Sequence, residues 1–225
     1  ARQPHNSLLT VAPVEAFGFL NSPVAPISVQ GHGEVTPDWE ETTTGLTVPS
    51  GKTLSLIGGQ IKIGQGTFFN AETFDDEGNE ATEIIPLPIL SAPHGRINLA
   101  SMASQGEIFL GRDFVNASSL SQLADIHLTN NSLLRTNGEG GGSIFIHGGQ
   151  FLADNSAIEA ITLGSQDGGV IDLRANTISL NGATINGNTI GTGKGTNISL
   201  WATDFITVAG ENDDFKPSAI YARSG

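Results

Sequence analysis

Three Gly- or Thr-led segments set the terms for this chain: Gly142-Ser143-Ile144-Phe145-Ile146, Gly169-Val170-Ile171-Asp172-Leu173 and Thr196-Asn197-Ile198-Ser199-Leu200, whose central isoleucines stand 27 residues apart, twice in succession. A fixed translation of that kind marks a repeated structural unit. Within each unit a second apolar anchor follows seven residues on, at Phe151, Ile178 and Phe205, and a third follows seven further on at Ile158 and Ile185. In the last unit the third anchor is Ile220, 22 residues after Ile198 instead of 14, which implies an eight-residue insertion around 210–217. Upstream, Ile126-His127-Leu128 with Leu133, and Leu54-Ser55-Leu56 with Ile61-Lys62-Ile63, follow the same grammar.

Each anchor sits in three to five residues of apolar/polar alternation that end at Gly, Asn or Asp, the pattern of a short half-buried strand. Three such strands per unit can bury their inward Ile and Leu side chains only by stacking unit on unit. The expected fold is therefore all-β, a parallel β-helix. A β-sandwich would not explain the equal translation, and the Leu-x-x-Leu-x-Leu signature of leucine-rich repeats is missing. Asn181-Gly182 and Asn186-Gly187 are expected at corners needing positive φ, which Gly adopts freely and Asn tolerates. The chain reads as a single segment, 1–225, with insertions near 31–49, 65–88 and 209–217. Two of these are acidic: Glu72, Asp75, Asp76, Glu77, Glu80 and Glu83 fall in 70–83, and Glu34, Asp38, Glu40 and Glu41 flank Trp39.

The charge balance narrows the partners. Ten Lys and Arg oppose 23 Asp and Glu, a formal net charge of −13 that repels phosphate backbones and anionic headgroups. Nucleic acid is excluded as a partner on this ground. No apolar run approaches the roughly 20 residues that span a bilayer, so no membrane insertion is expected. There is no Cys, hence no disulfide or thiolate site.

If the repeated isoleucines stack, outward residues form rows: Phe145, Asp172 and Ser199 in one, His147, Arg174 and Trp201 in the next, with neighbours about 4.8 Å apart. A polysaccharide-cleaving enzyme of this shape needs clustered carboxylates and a base. These rows offer one carboxylate, Asp172, beside Arg174, so no catalytic residue is assigned. The row His147, Arg174, Trp201 is the candidate recognition surface, since a guanidinium over an indole makes a cation–π contact and such a strip can stack on sugars. Trp39 is a second candidate contact.

No cofactor is indicated. His5, His32, His94, His127 and His147 are scattered, without the spacing of a zinc site. Asp75-Asp76-Glu77 and Asp213-Asp214 offer hard oxygen ligands but match neither an EF-hand nor a Gly-Gly-x-Gly-x-Asp repeat, so weak incidental calcium binding is the most they promise. Gly191-Thr192-Gly193-Lys194-Gly195-Thr196 lacks the spacing of a phosphate loop and reads as a turn.

Pro49-Ser50-Gly51-Lys52-Thr53-Leu54-Ser55-Leu56-Ile57-Gly58-Gly59, then Leu90-Ser91-Ala92-Pro93-His94-Gly95-Arg96-Ile97-Asn98-Leu99, then Ala103-Ser104-Gln105-Gly106-Glu107-Ile108 resemble the filamentous-haemagglutinin-like exoproteins of two-partner secretion, particularly the long cyanobacterial type. The Gly140-Gly141-Gly142-Ser143-Ile144-Phe145-Ile146 and Asp167-Gly168-Gly169-Val170-Ile171-Asp172-Leu173 units look like that family's rod repeats, and the likeness runs over roughly 8–208. The resemblance implies a right-handed β-helix, exported through an outer-membrane β-barrel partner and displayed on, or shed from, a Gram-negative-type cell as an adhesin-like rod. Neither the Asn-Pro-Asn-Gly nor the Asn-Pro-x-Leu motif of the family's secretion domain occurs, so the transporter is expected to be engaged by an upstream domain. The leading expectation is a secreted or cell-surface, non-enzymatic rod segment that contacts glycans or cell surfaces. Its alternatives are a carbohydrate-binding or polysaccharide-cleaving β-helix and a filament subunit polymerising end to end.

Overall fold

Residues alternating between apolar and polar identity bury one face when the backbone is extended, because successive side chains point to opposite sides. The computed structural model describes residues 14–30, 45–64, 89–111, 115–116 and 122–224, and among them strands are the only regular elements. In chain order these are β1 (Ala16–Phe19), β2 (Ile27–Gln30), β3 (Leu46–Thr47), β4 (Thr53–Gly58), β5 (Ile61–Gly64), β6 (Ile89–Ser91), β7 (Arg96–Ser101), β8 (Gly106–Leu110) and β9 (Val115–Asn116). There follow β10 (Ile126–Leu128), β11 (Leu133–Arg135), β12 (Ser143–His147), β13 (Gln150–Asp154), β14 (Ala157–Glu159), β15 (Val170–Asn181), β16 (Thr184–Asn186), β17 (Asn197–Ala209) and β18 (Ala219–Tyr221).

The 27-residue interval becomes register. In the first flank β4, β7, β12, β15 and β17 run parallel, placing Leu54, Ile97, Ile144, Ile171 and Ile198 in one column. In the second flank β2, β5, β10, β13 and the later halves of β15 and β17 align Ile27, Ile61, Ile126, Phe151, Ile178 and Ile206. A third flank of β3, β6, β11, β14, β16 and β18 aligns Leu46, Leu90, Leu134, Ile158, Ile185 and Ile220. The first two flanks are one nine-stranded sheet, because β15 and β17 run through both, and the third is a separate six-stranded sheet. Side chains from all three meet in one core, with Ile97, Ile144, Phe151, Ile171, Ile178 and Ile185 buried. Each contributes about 1.5–3 kcal/mol over its exposed state.

Three anchor assignments change. In the last repeat the second anchor is Ile206, not Phe205: the register shifts between Ala175 and Thr177, where β17 carries one residue more than β15. This bulge turns Phe205 outward, 57% exposed. One of the eight extra residues inferred from Ile220 is thus spent in the strand, and the rest form the loop after β17. That loop is closed by Asn212, whose side-chain Oδ1 accepts from the amides of Asp214 and Lys216. Upstream, Ile126 lies in the second flank, and the third-flank core position is Leu134 rather than Leu133.

The corners differ in what they require of the chain. Gly182 has φ of +58°, and Asn130, Asn131 and Asn155 also adopt positive φ at the same corner of earlier repeats. Gly187 does not; a Cβ there would lie 3.0 Å from the Thr196 carbonyl, so close approach is its constraint. At the opposite corner buried threonines hold the loops: Thr162 Oγ1 accepts from Gly141 N at 3.0 Å and donates to Lys194 O at 3.1 Å.

Leu46 and Thr47 pair in parallel with β6, so the repeat stacking has resumed before residue 49. Residues 31–44 and 65–88, with Trp39 and Asp75-Asp76-Glu77, lie outside the described residues. An element absent from the sequence reading is a three-stranded antiparallel sheet, β1-β8-β9. It encloses a second core of Ala100, Met102, Ile108, Val115 and Phe145.

Candidate functional site

The end of β12, the middle of β15 and the middle of β17 bring His147, Arg174 and Trp201 into register as direct neighbours, as the repeat spacing requires. Strand alternation points them away from the main core, whose inward positions are Ile146, Leu173 and Leu200. The three outward side chains then meet different surroundings, because the β1-β8-β9 sheet covers only part of this flank.

The neighbouring row shows where that cover ends. Phe145 was expected on the surface beside Asp172 and Ser199, but it is 4% exposed, packed in the second core with the Arg96 guanidinium 4.2 Å from its ring centroid. One repeat later the Asp172 side chain is still only 12% exposed while that of Arg174 is 53% exposed, and one later still Trp201 is 68% exposed. A groove of about 380 Å³ forms at this boundary, lined by Leu123, His147, Arg174, Asn176, Trp201 and Thr203 among others.

His147 marks the covered side of the groove. Its Nδ1 lies 3.2 Å from the Val115 carbonyl, which can only accept, so Nδ1 carries the proton and the neutral ring keeps Nε2 as an acceptor. Burial lowers its pKa below the ordinary 6.5 and the positive charge of Arg174 adds to this, against the raising effects of the Val115 carbonyl and Asp172. Arg174 is held by Asp172 on the same strand, Nε at 3.1 and 3.2 Å from the two carboxylate oxygens and Nη2 at 2.9 Å from Oδ2. The guanidinium is thereby committed in plane to a carboxylate. The expected cation–π stack of Arg174 on Trp201 is not formed: among the described residues the cation–π contacts are Arg96 over Phe145 and Arg223 over Tyr221.

The structure therefore brings His147, Arg174 and Trp201 together but gives them separate roles: an acceptor, a paired cation and an open aromatic face. It adds Asn176 and Thr203, which flank the β17 bulge. Their only sequence signal was the extra residue between Ala202 and Phe205. Ser199 also lines the groove, and it had been placed in the adjoining outward row.

Among the described residues no group of three His, Asp or Glu side chains is close enough to hold a metal ion. Asp213 and Asp214 point to different partners, Asp213 accepting from Asn155 and Asp214 pairing with Lys216 at 3.3 Å. His94 Nδ1 is 2.7 Å from the Gly140 carbonyl and fixes a corner, while His127 Nε2 is buried without a hydrogen-bond partner among the described residues.

These features define an all-β protein of parallel, repeat-stacked sheets carrying an aromatic-lined groove at the edge of a small antiparallel layer. No protein-family model, no curated protein and no solved structure matches the chain.

Proposed function

We propose that this chain is a rod segment of a large exported adhesin-like exoprotein of the filamentous-haemagglutinin type, folded as a right-handed parallel β-helix that presents surface for attachment to cells or matrix. The observation that carries the reading is repeat-on-repeat register, with Ile144, Ile171 and Ile198 in one column and Ile158, Ile185 and Ile220 in another. A repeat whose inward side chains are consumed by stacking leaves its outward rows and loops free for contacts. Export through an outer-membrane partner engaged by an upstream domain, and display on a Gram-negative-type cell, rest on the resemblance of the Gly-Gly-x-Ile units. A non-enzymatic role is supported by the groove lining, which among the described residues includes no carboxylate, while Asp172 beside it is paired with Arg174. The test is adhesion of chain-coated beads to a panel of cells and matrix proteins. Saturable adhesion is expected; no adhesion, together with cleavage of any polysaccharide in a broad panel, would overturn the reading.

A further inference from the structure

We propose that the groove bounded by β12, β15 and β17 is a binding site for a neutral carbohydrate chain, with one sugar ring laid on the open face of Trp201. The proposal gives a ligand to the presenting surface described above and rests on that reading.

Three independent features converge on this ligand class. First, an indole 68% exposed on β17, at the end of the row His147, Arg174, Trp201, offers a flat apolar platform, and the Leu123 side chain shares the groove. A pyranose presents one face of C–H groups that can desolvate such a surface while its hydroxyls stay at the rim. Second, apart from the paired Arg174 the polar side chains lining the groove are uncharged, and much of their hydrogen-bonding capacity is unspent among the described residues. Asn176 and Ser199 make no side-chain hydrogen bond to the described residues, and Thr203 Oγ1 has only long contacts, 3.5 Å to the Asn176 carbonyl and 3.3 Å to Asp204. His147 adds Nε2 as an acceptor, because Nδ1–H is held by Val115. Together they supply both donors and acceptors, as a set of sugar hydroxyls requires. Third, the volume of about 380 Å³ is at the lower end of small-ligand sites, which suits a short stretch of chain in an open groove.

Charge selects neutral over acidic sugars. The one charged lining residue, Arg174, is already neutralised by Asp172 at 2.9 Å. A uronate or sulfate would have to displace that carboxylate and also enter the field of a chain with a net charge of −13. A neutral glycan needs neither step.

The test is NMR titration of the whole chain with three neutral probes, cellotetraose, maltotetraose and mannotetraose, against tetragalacturonate. The indole signal of Trp201 is assigned by its loss in Trp201→Phe. Saturable shifts of that signal with at least one neutral probe are expected, at least about tenfold weaker in Trp201→Ala, with a smaller loss in Asn176→Ala. Both substitutions are at the groove surface, and unchanged backbone spectra would show that the variants fold. Saturation by tetragalacturonate alone, or by a neutral probe equally well in Trp201→Ala, would overturn the proposal. A chain that adheres to cells but binds none of the neutral probes would also overturn it while leaving the rod reading in place.

Discussion

His147 and Val115 are joined by a contact that crosses from the repeat stack to the accessory sheet: the imidazole Nδ1 lies 3.2 Å from the Val115 carbonyl. The bond fixes the tautomer, ties β12 to β9 and leaves Nε2 available. It also makes His147 a reporter of how the two layers are held together.

Because burial, supplemented by Arg174, disfavours the charged ring in the folded chain, the unfolded chain binds that proton more tightly. Stability from this group is therefore complete above the ordinary value of 6.5 and falls as pH drops from there through the lowered folded pKa. The His147 ring should titrate below 6.5 in an NMR pH series. His147→Gln should remove the matching part of the loss of melting temperature in mild acid. A midpoint at or above 6.5 would contradict the assignment of burial as the dominant cause.

Two phenylalanines separate core from surface. Phe145 is 4% exposed beneath the accessory sheet, and Phe205 is 57% exposed beside the β17 bulge. Phe145→Ala should cost about 3–5 kcal/mol in chemical denaturation, since it empties a packed site and strips Arg96 of its ring. Phe205→Ala should cost about 1 kcal/mol or less. Reversed magnitudes would mean that the second anchor of the last repeat is Phe205 after all.

The two phenylalanines also show what the sequence could convey. Spacing alone identified the columns through Ile144, Phe151 and Ile158 and through Ile171, Ile178 and Ile185, because a buried parallel repeat cannot drift without burying a polar residue. It misassigned Phe205, because a one-residue bulge is invisible when the next residue, Ile206, is also apolar. The accessory sheet was missed for a different reason. Its strand β1 comes from far upstream of β8 and β9 and the three carry no period, so their only trace was an outward-facing Phe145 and an Ile97-to-Ile144 interval far longer than 27 residues. Register placed His147, Arg174 and Trp201 together correctly, but the state of each depends on where that sheet stops. That boundary is a tertiary property.

Thr162 tests the corner opposite the asparagines. It is fully buried, and the Gly141 amide has its hydroxyl as the partner, whereas the Lys194 carbonyl also accepts from Gly168. Thr162→Val keeps the shape but leaves the Gly141 N–H unpaired, at a cost of about 1–3 kcal/mol. Hydrogen exchange at Gly141 should accelerate more than at neighbouring strand amides. Unchanged exchange there would show that the hydroxyl is not what holds the loop.

Glycine substitutions can divide backbone strain from steric clash. Gly51 and Gly182 both have positive φ, +73° and +58°. A Cβ at Gly51 meets nothing within 4 Å, whereas at Gly182 it would lie 2.6 Å from the Glu211 carbonyl. Gly51→Ala should therefore show the conformational penalty alone, about 1–2 kcal/mol, and Gly51→Asn should recover much of it because Asn tolerates the left-handed region. Gly182→Ala carries the same penalty plus the displacement of Glu211, and Gly182→Asn should recover little because the clash remains. Thermal melts of the four variants decide between the causes. Equal losses at both positions would mean that the loop following β17 yields freely to the added methyl, and that only φ governs this corner.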